Sequence, residues 1–135
     1  MDKDELDRLN EWISKSPHIA LRELKKPKYR SIFTEFERIF TQKAQFPLSM
    51  AYQVERLMIS GDFRAMRLPA YRPRDRFPLT PADFLREEER KKKYKSARWE
   101  MDCLRARCLQ QKARGWSIGE ILLQIRSDTK QGGKK

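Results

Sequence analysis

A chain of 135 residues has the length of one domain. Charged residues make up 37% and the mean hydropathy is −0.88, so the core is small. No stretch approaches the ~20 consecutive apolar residues of a membrane span. The net charge of +12 favours polyanionic partners: nucleic acid, an anionic membrane or an acidic protein.

In chain order, the opening MDKDELDRL is charged and mostly acidic, unlike a signal or transit peptide. Leu6, Leu9, Trp12 and Ile13 share one face of a helix over residues 5–14. Ser16-Pro17 caps and starts a short second helix carrying Ile19, Leu21 and Leu24, which ends before Pro27. Tyr29, Ile32, Phe33, Phe36, Ile39 and Phe40 form an apolar stripe over three turns, broken by Phe46-Pro47. A further helix should bury Met50, Val54, Leu57 and Met58 and stop at Gly61 in a left-handed cap. These residues are expected to form the core of an N-terminal helical unit, 1–61.

Residues 62–79 change character. Pro69, Pro73 and Pro78 stand among Arg64, Arg67, Arg72, Arg74 and Arg76, a density that holds backbone extended and predicts an arm or linker. Thr80-Pro81-x-Asp83 then reads as a capping box, with Leu79 and Phe84 placed as a hydrophobic staple. Nothing breaks a helix from there to Arg114, a rod roughly 50 Å long at ~1.5 Å per residue. Its first part, REEERKKK, has no apolar residue and is not expected to pack on a core. Its second part carries Ala97, Met101, Leu104 and Cys108 at 4-3-4 spacing, with Leu109 alongside. That seam suits packing on the N-terminal helices and would also suit a homodimer. After Gly115, Ser117 with Glu120 forms a second capping box and Trp116 with Ile121 a second staple, opening a last helix with Ile121, Leu122 and Ile125. The tail 129–135 is polar and expected to be disordered. The fold class is therefore all-α: a small helical domain with a Pro/Arg-rich linker and a long basic helix ending in a short helical hairpin.

Residues 113–128 resemble the opening of a helix-turn-helix DNA reader. Only TKQGGKK remains beyond Asp128, too polar and too short for a packed recognition helix. As a bihelical reader it also fails, because Gln110, Gln111 and Arg114 would fall where the core should be. A helical corner that packs Trp116 inward fits better.

Catalysis finds little support. His18, the single histidine, has no acidic or cysteine partner at a telling spacing. Cys103 and Cys108 lack companions for a zinc site, and about 140° apart on one helix they do not bridge each other. Glycine-rich phosphate loops and hydrolase motifs are missing from the sequence. No cofactor or metal is expected, and reduced thiols fit a cytoplasmic protein.

Binding has better grounds. Residues 1–60 carry 11 Lys/Arg against 9 Asp/Glu, whereas residues 61–135 carry 20 against 10. In an extended YRPRDRF, Arg72, Arg74 and Arg76 lie on one side at ~6.6 Å intervals, a repeat suited to phosphates or a narrow minor groove. Tyr71 and Phe77 flank them, placed to stack on unpaired bases. On the rod, Arg90, Lys91, Lys92, Lys93, Lys95 and Arg98 form a second cationic patch. The preceding Glu87 and Glu88 are expected to pair with Lys91 and Lys92 at i,i+4. The expectation is a non-enzymatic nucleic-acid-binding accessory or regulatory factor of a bacterial or phage system, meeting DNA more than RNA through backbone charge. The alternative is an adaptor that docks its basic arm and helix on an acidic protein such as a transcription or replication component, or an RNA-binding factor. Membrane association is the least expected, since the basic half of the rod has no apolar face.

Overall fold

A computed structural model describes residues 3–71 and 80–123. Its regular elements are helical throughout: α1 (Lys3–Lys15), α2 (Pro17–Leu24), α3 (Ile32–Glu37) running into a π-helical turn (Arg38–Lys43), α4 (Leu48–Ile59), a 3₁₀ turn (Phe63–Ala65), α5 (Pro81–Ala113) and α6 (Ile118–Leu122). No strand occurs among the described residues, and the fold class is all-α. The expected positions 124–128 of the last helix, the tail, Leu79 of the first staple and Arg72, Arg74, Arg76 and Phe77 of the arm lie outside the described residues.

One apolar cluster draws on every described helix. Leu9 and Ile13 of α1, Ala20 and Leu24 of α2, Ile32, Phe33 and Phe36 of α3, Met58 of α4, Met101 and Cys108 of α5 and Ile121 of α6 all belong to it. The rod seam of Ala97, Met101, Leu104 and Cys108 is thus buried in the chain's own core, on α3, the π turn and α6. The two halves of the chain share that core.

Local signals explain most boundaries. The Ser31 hydroxyl accepts from Thr34 N–H at 3.4 Å and donates to Leu24 C=O at 3.0 Å, so α3 starts at Ile32 although the apolar stripe reaches back to Tyr29. The Thr80 hydroxyl accepts from Asp83 N–H at 3.2 Å, which is one half of the expected capping box; the Asp83 carboxylate lies 3.8 Å from Arg86 rather than on the Thr80 N–H. Gly61 stops α4 with φ +92°, the left-handed cap expected there. Ser117 and Glu120 form their reciprocal capping box, and Trp116 packs partly buried against the core.

Two expectations need correction. The arm does not begin at residue 62: Phe63 and Met66 are buried and Leu68 packs beside them, so residues 62–68 belong to the core. Arginines and prolines mask that apolar pair in the sequence, yet three residues apart it falls on one side of the 3₁₀ turn. Second, α4 buries Ala51, Glu55, Met58 and Ile59, while Met50 and Leu57 face outward. At about 100° per residue, that is roughly a quarter turn from the expected face.

The rotation places an acid in the core. Glu55 is completely buried, and Lys25, just past the end of α2, brings its ammonium within 2.9 Å of the carboxylate and 3.1 Å of Glu37. Ala20 and Ala51, both fully buried, lie on the paired helices α2 and α4, where small side chains permit close approach. Both Glu55 oxygens lack a hydrogen bond, and the Lys25 ammonium offsets only part of the cost of their burial. Burial pushes the Glu55 carboxyl up from 4.5 to about 7, against the pull of Lys25. The Lys25 ammonium is held above its usual range: burial lowers it, and the charges of Glu55 and Glu37 outweigh that.

The far end of the molecule is joined by Asn10. Its Oδ1 accepts from Gly119 N–H at 3.1 Å and its Nδ2 donates to Ser117 Oγ at 3.3 Å, so α1 caps the start of α6. A Cβ at Gly119 would stand 2.7 Å from Asn10 Oδ1 and 3.1 Å from Leu6 Cδ1.

The raised Glu55 value fixes the sign of a pH dependence. The folded state keeps a proton that the unfolded chain releases near 4.5, so this group's contribution is complete below that pH and is lost as pH rises towards 7. Between pH 5 and pH 8 the parent should lose about 2–3 kcal/mol relative to Glu55→Gln, read from urea midpoints. Parallel pH profiles would contradict this. The Asn10 contact predicts a coupled pair. Gly119→Ala should destabilise the parent by about 1 kcal/mol by displacing the Asn10 amide, and be near neutral in Asn10→Ala. An equal change in both backgrounds would refute that coupling.

Candidate nucleic-acid interface

Helix α5 is an unbroken helix of 33 residues, and its buried seam fixes its rotation. With residues 97, 101, 104 and 108 turned inward, a helix at about 100° per residue must turn residues 92, 95 and 99 outward. Lys92, Lys95 and Trp99 are indeed exposed, with Arg98 about a quarter turn to one side, whereas Lys93, one turn before Ala97, is exposed on the seam side of the helix.

The acidic triplet neutralises only the first cations. Arg90 pairs with Glu87 at 3.5 Å and Lys91 with Glu88 at 3.6 Å, both at i,i+3. This replaces the expected i,i+4 pairs of Glu87 with Lys91 and Glu88 with Lys92. The reason lies in Tyr71, whose hydroxyl donates to Glu87 and so draws that carboxylate towards Arg90. Further along, Glu100 holds Lys43 at 2.6 Å and Arg38 at 3.6 Å, one at each end of the π turn, and Asp102 holds Arg105 at 3.1 Å. Among the described residues, Lys92, Lys93, Lys95 and Arg98 have no ion pair.

Tyr71 stands differently from its expected role beside unpaired bases. A row of rings leads outward from the core: Phe36 to Phe40 at 5.3 Å, Phe40 to Phe46 at 5.4 Å, Phe46 to Tyr94 at 6.4 Å and Tyr94 to Tyr71 at 5.4 Å. Tyr94 also donates to Pro69 C=O at 2.8 Å. The Arg90 guanidinium sits 5.3 Å from the Tyr71 ring centre. Burial, then the Glu87 bond, holds the phenol above its usual range. Tyr71 is thus a clasp that ties the chain to α5. Glu87 and Arg90 are half-buried beneath it, so the charged run does carry packing. A tyrosine permits this because its face takes a cation and its tip takes a carboxylate.

Trp99 is the residue missed in the sequence. It stands two residues after Ala97 and two before Met101, about 200° from each, so the helical wheel already turned it away from the seam. It is 68% exposed.

Other groups remain outside this surface. His18 is exposed on α2, and among the described residues no group of His, Cys, Asp or Glu is placed to hold a metal. No described helix is long and apolar enough to cross a membrane. Gln110 and Arg114 are exposed, whereas Gln111 is half-buried with its Oε1 inside. Cys103 is exposed one turn beyond Trp99, whereas Cys108 is buried and its thiol is pushed up to about 12 by that burial. A thiol reagent at neutral pH should therefore label one cysteine in the native protein and two in denaturant, with Cys103→Ser abolishing the native label. Equal native labelling of Cys103→Ser and the parent would contradict that placement. No protein-family model matches the chain, and no curated protein or solved structure is similar to it.

Proposed function

We propose that this protein is a non-enzymatic nucleic-acid-binding accessory factor that meets DNA through backbone charge along the outward side of α5. One observation carries the reading: Lys92, Lys93, Lys95 and Arg98 lie within seven residues of a rigid helix and are exposed without an ion pair among the described residues. Four uncompensated ammonium and guanidinium groups on a preformed helix attract a polyanion and release its counterions. Of the nearby acids, Glu87 and Glu88 hold Arg90 and Lys91 and Glu100 holds the π turn, while Glu89 is exposed and has no ion pair among the described residues. The arginines Arg72, Arg74 and Arg76 follow directly on Tyr71, which is clasped to the same helix, and extend the proposed surface in sequence. Arg90 and Lys91, being paired, contribute less than the sequence suggested.

Fluorescence anisotropy with a labelled 20-base-pair duplex tests this. The logarithm of affinity should fall with the logarithm of salt with a slope near −3 to −4, at about −0.9 per phosphate contact. Changing Lys92, Lys93, Lys95 and Arg98 together to Ala should lower affinity at low salt by more than about tenfold, at an unchanged melting temperature, because all four side chains are on the surface. Binding insensitive to salt, or a quadruple variant that binds like the parent, would overturn the proposal.

A further inference from the structure

Every aromatic side chain with a polar tip that this protein shows near its surface has its face occupied, with one exception. Lys25 lies 4.2 Å over the Tyr52 ring, Lys28 lies 4.7 Å over Tyr29, and Arg90 lies 5.3 Å over Tyr71. Tyr94 meets both Tyr71 and Phe46, and Trp12 and Trp116 pack against the core. No ring or cation lies against Trp99 among the described residues. Yet Lys95 and Lys92 stand four and seven residues before it, on the same outward side. Helix geometry places them about 6 Å and about 10 Å away along the axis. Both side chains are exposed and extend into solvent.

One exposed indole is ordinary by itself, and what sets Trp99 apart is an open π face beside the exposed ammonium groups of Lys92 and Lys95. What covers it must tolerate, and gain from, two or more neighbouring cations. An apolar peptide or a lipid tail gives those ammonium groups no counter-charge. A base pair inside a duplex has its faces already stacked. An unpaired nucleotide satisfies both requirements, since its base offers a π face to the indole while its phosphates meet Lys92 and Lys95. We infer that Trp99 is the stacking platform of a single-stranded DNA site on α5, with Lys92 and Lys95 as its phosphate contacts. The inference rests on the proposed basic interface and adds to it a preference for unpaired strands. It also moves the stacking role from Tyr71, whose face Arg90 already occupies, to Trp99. Nothing in the arrangement reads a particular base, so the site tolerates sequence, as stacking does.

Binding of (dT)20 and of a 20-base-pair duplex to the full chain, at one salt concentration, separates the inference from the reading beneath it. The parent should bind (dT)20 more tightly than the duplex, with quenching of tryptophan emission. Trp99→Ala should weaken (dT)20 binding about tenfold and change duplex binding by less than about twofold, while Trp99→Phe retains most of the affinity. Exposed as it is, Trp99 can be replaced without loss of fold, which an unchanged melting curve verifies. If the parent binds neither ligand, the basic-interface reading itself fails. If it binds both and Trp99→Ala binds (dT)20 like the parent, only the stacking site is overturned. A tighter complex with (rU)20 than with (dT)20 overturns the assignment to DNA. A dimer that dissociates in Trp99→Ala with (dT)20 affinity intact overturns it in favour of self-association.

Discussion

Burial of four side chains on one helix decides which way the rest of that helix looks. Ala97, Met101, Leu104 and Cys108 enter the common core, and a helix is stiff enough that residues a few turns away inherit the same rotation. Lys92, Lys95 and Trp99 therefore face water for reasons that have nothing to do with their own chemistry. If α5 were free to roll, its cations would present no defined surface. Because its seam is locked on α3, the π turn and α6, the outward side is preformed, and a ligand that meets it pays little to order it.

Charge is partitioned along the same helix with a clear logic. Acids close to the Tyr71 clasp, to the π turn and to Arg105 hold local cations, and each such pair serves the fold. Between Arg90 and Glu100 the sequence holds no acid, and Glu89 just before that stretch has no ion pair among the described residues. Surface ion pairs contribute little stability singly, so their main effect here is to determine where positive charge is left over. The buried Lys25–Glu55 contact is a different case. There an acid and its counter-charge occupy the buried face of α4, while Met50 and Leu57 are left in water.

Much of the fold was legible from spacing and caps. The α3 stripe, the Gly61 stop, the Thr80 start and the Ser117–Glu120 box depend on residues within a few positions of one another, and those are the signals a sequence carries plainly. Where contacts join distant segments, the sequence was opaque. Glu55 in the core could not be foreseen without Lys25 across from it, thirty residues away. Asn10 holding α6 is separated from Gly119 by 109 positions. The clasp of Tyr71 on a helix of charges contradicts hydrophobic patterning, because the attraction is between a ring, a guanidinium and a carboxylate. Within the candidate surface, the basic run was legible by composition, but which lysines stay unpaired depended on that clasp. Trp99 was legible from the wheel, opposite the buried seam.

The account depends most on where a nucleic acid touches the molecule. Two-dimensional amide and indole NMR of the full chain, titrated with (dT)20 at low salt, locates that contact directly. The prediction is that shifts concentrate on Lys92, Lys93, Lys95, Arg98 and the Trp99 indole, with α1, α2 and α4 unmoved. Shifts centred on those N-terminal helices, or none at saturating oligonucleotide, would contradict it.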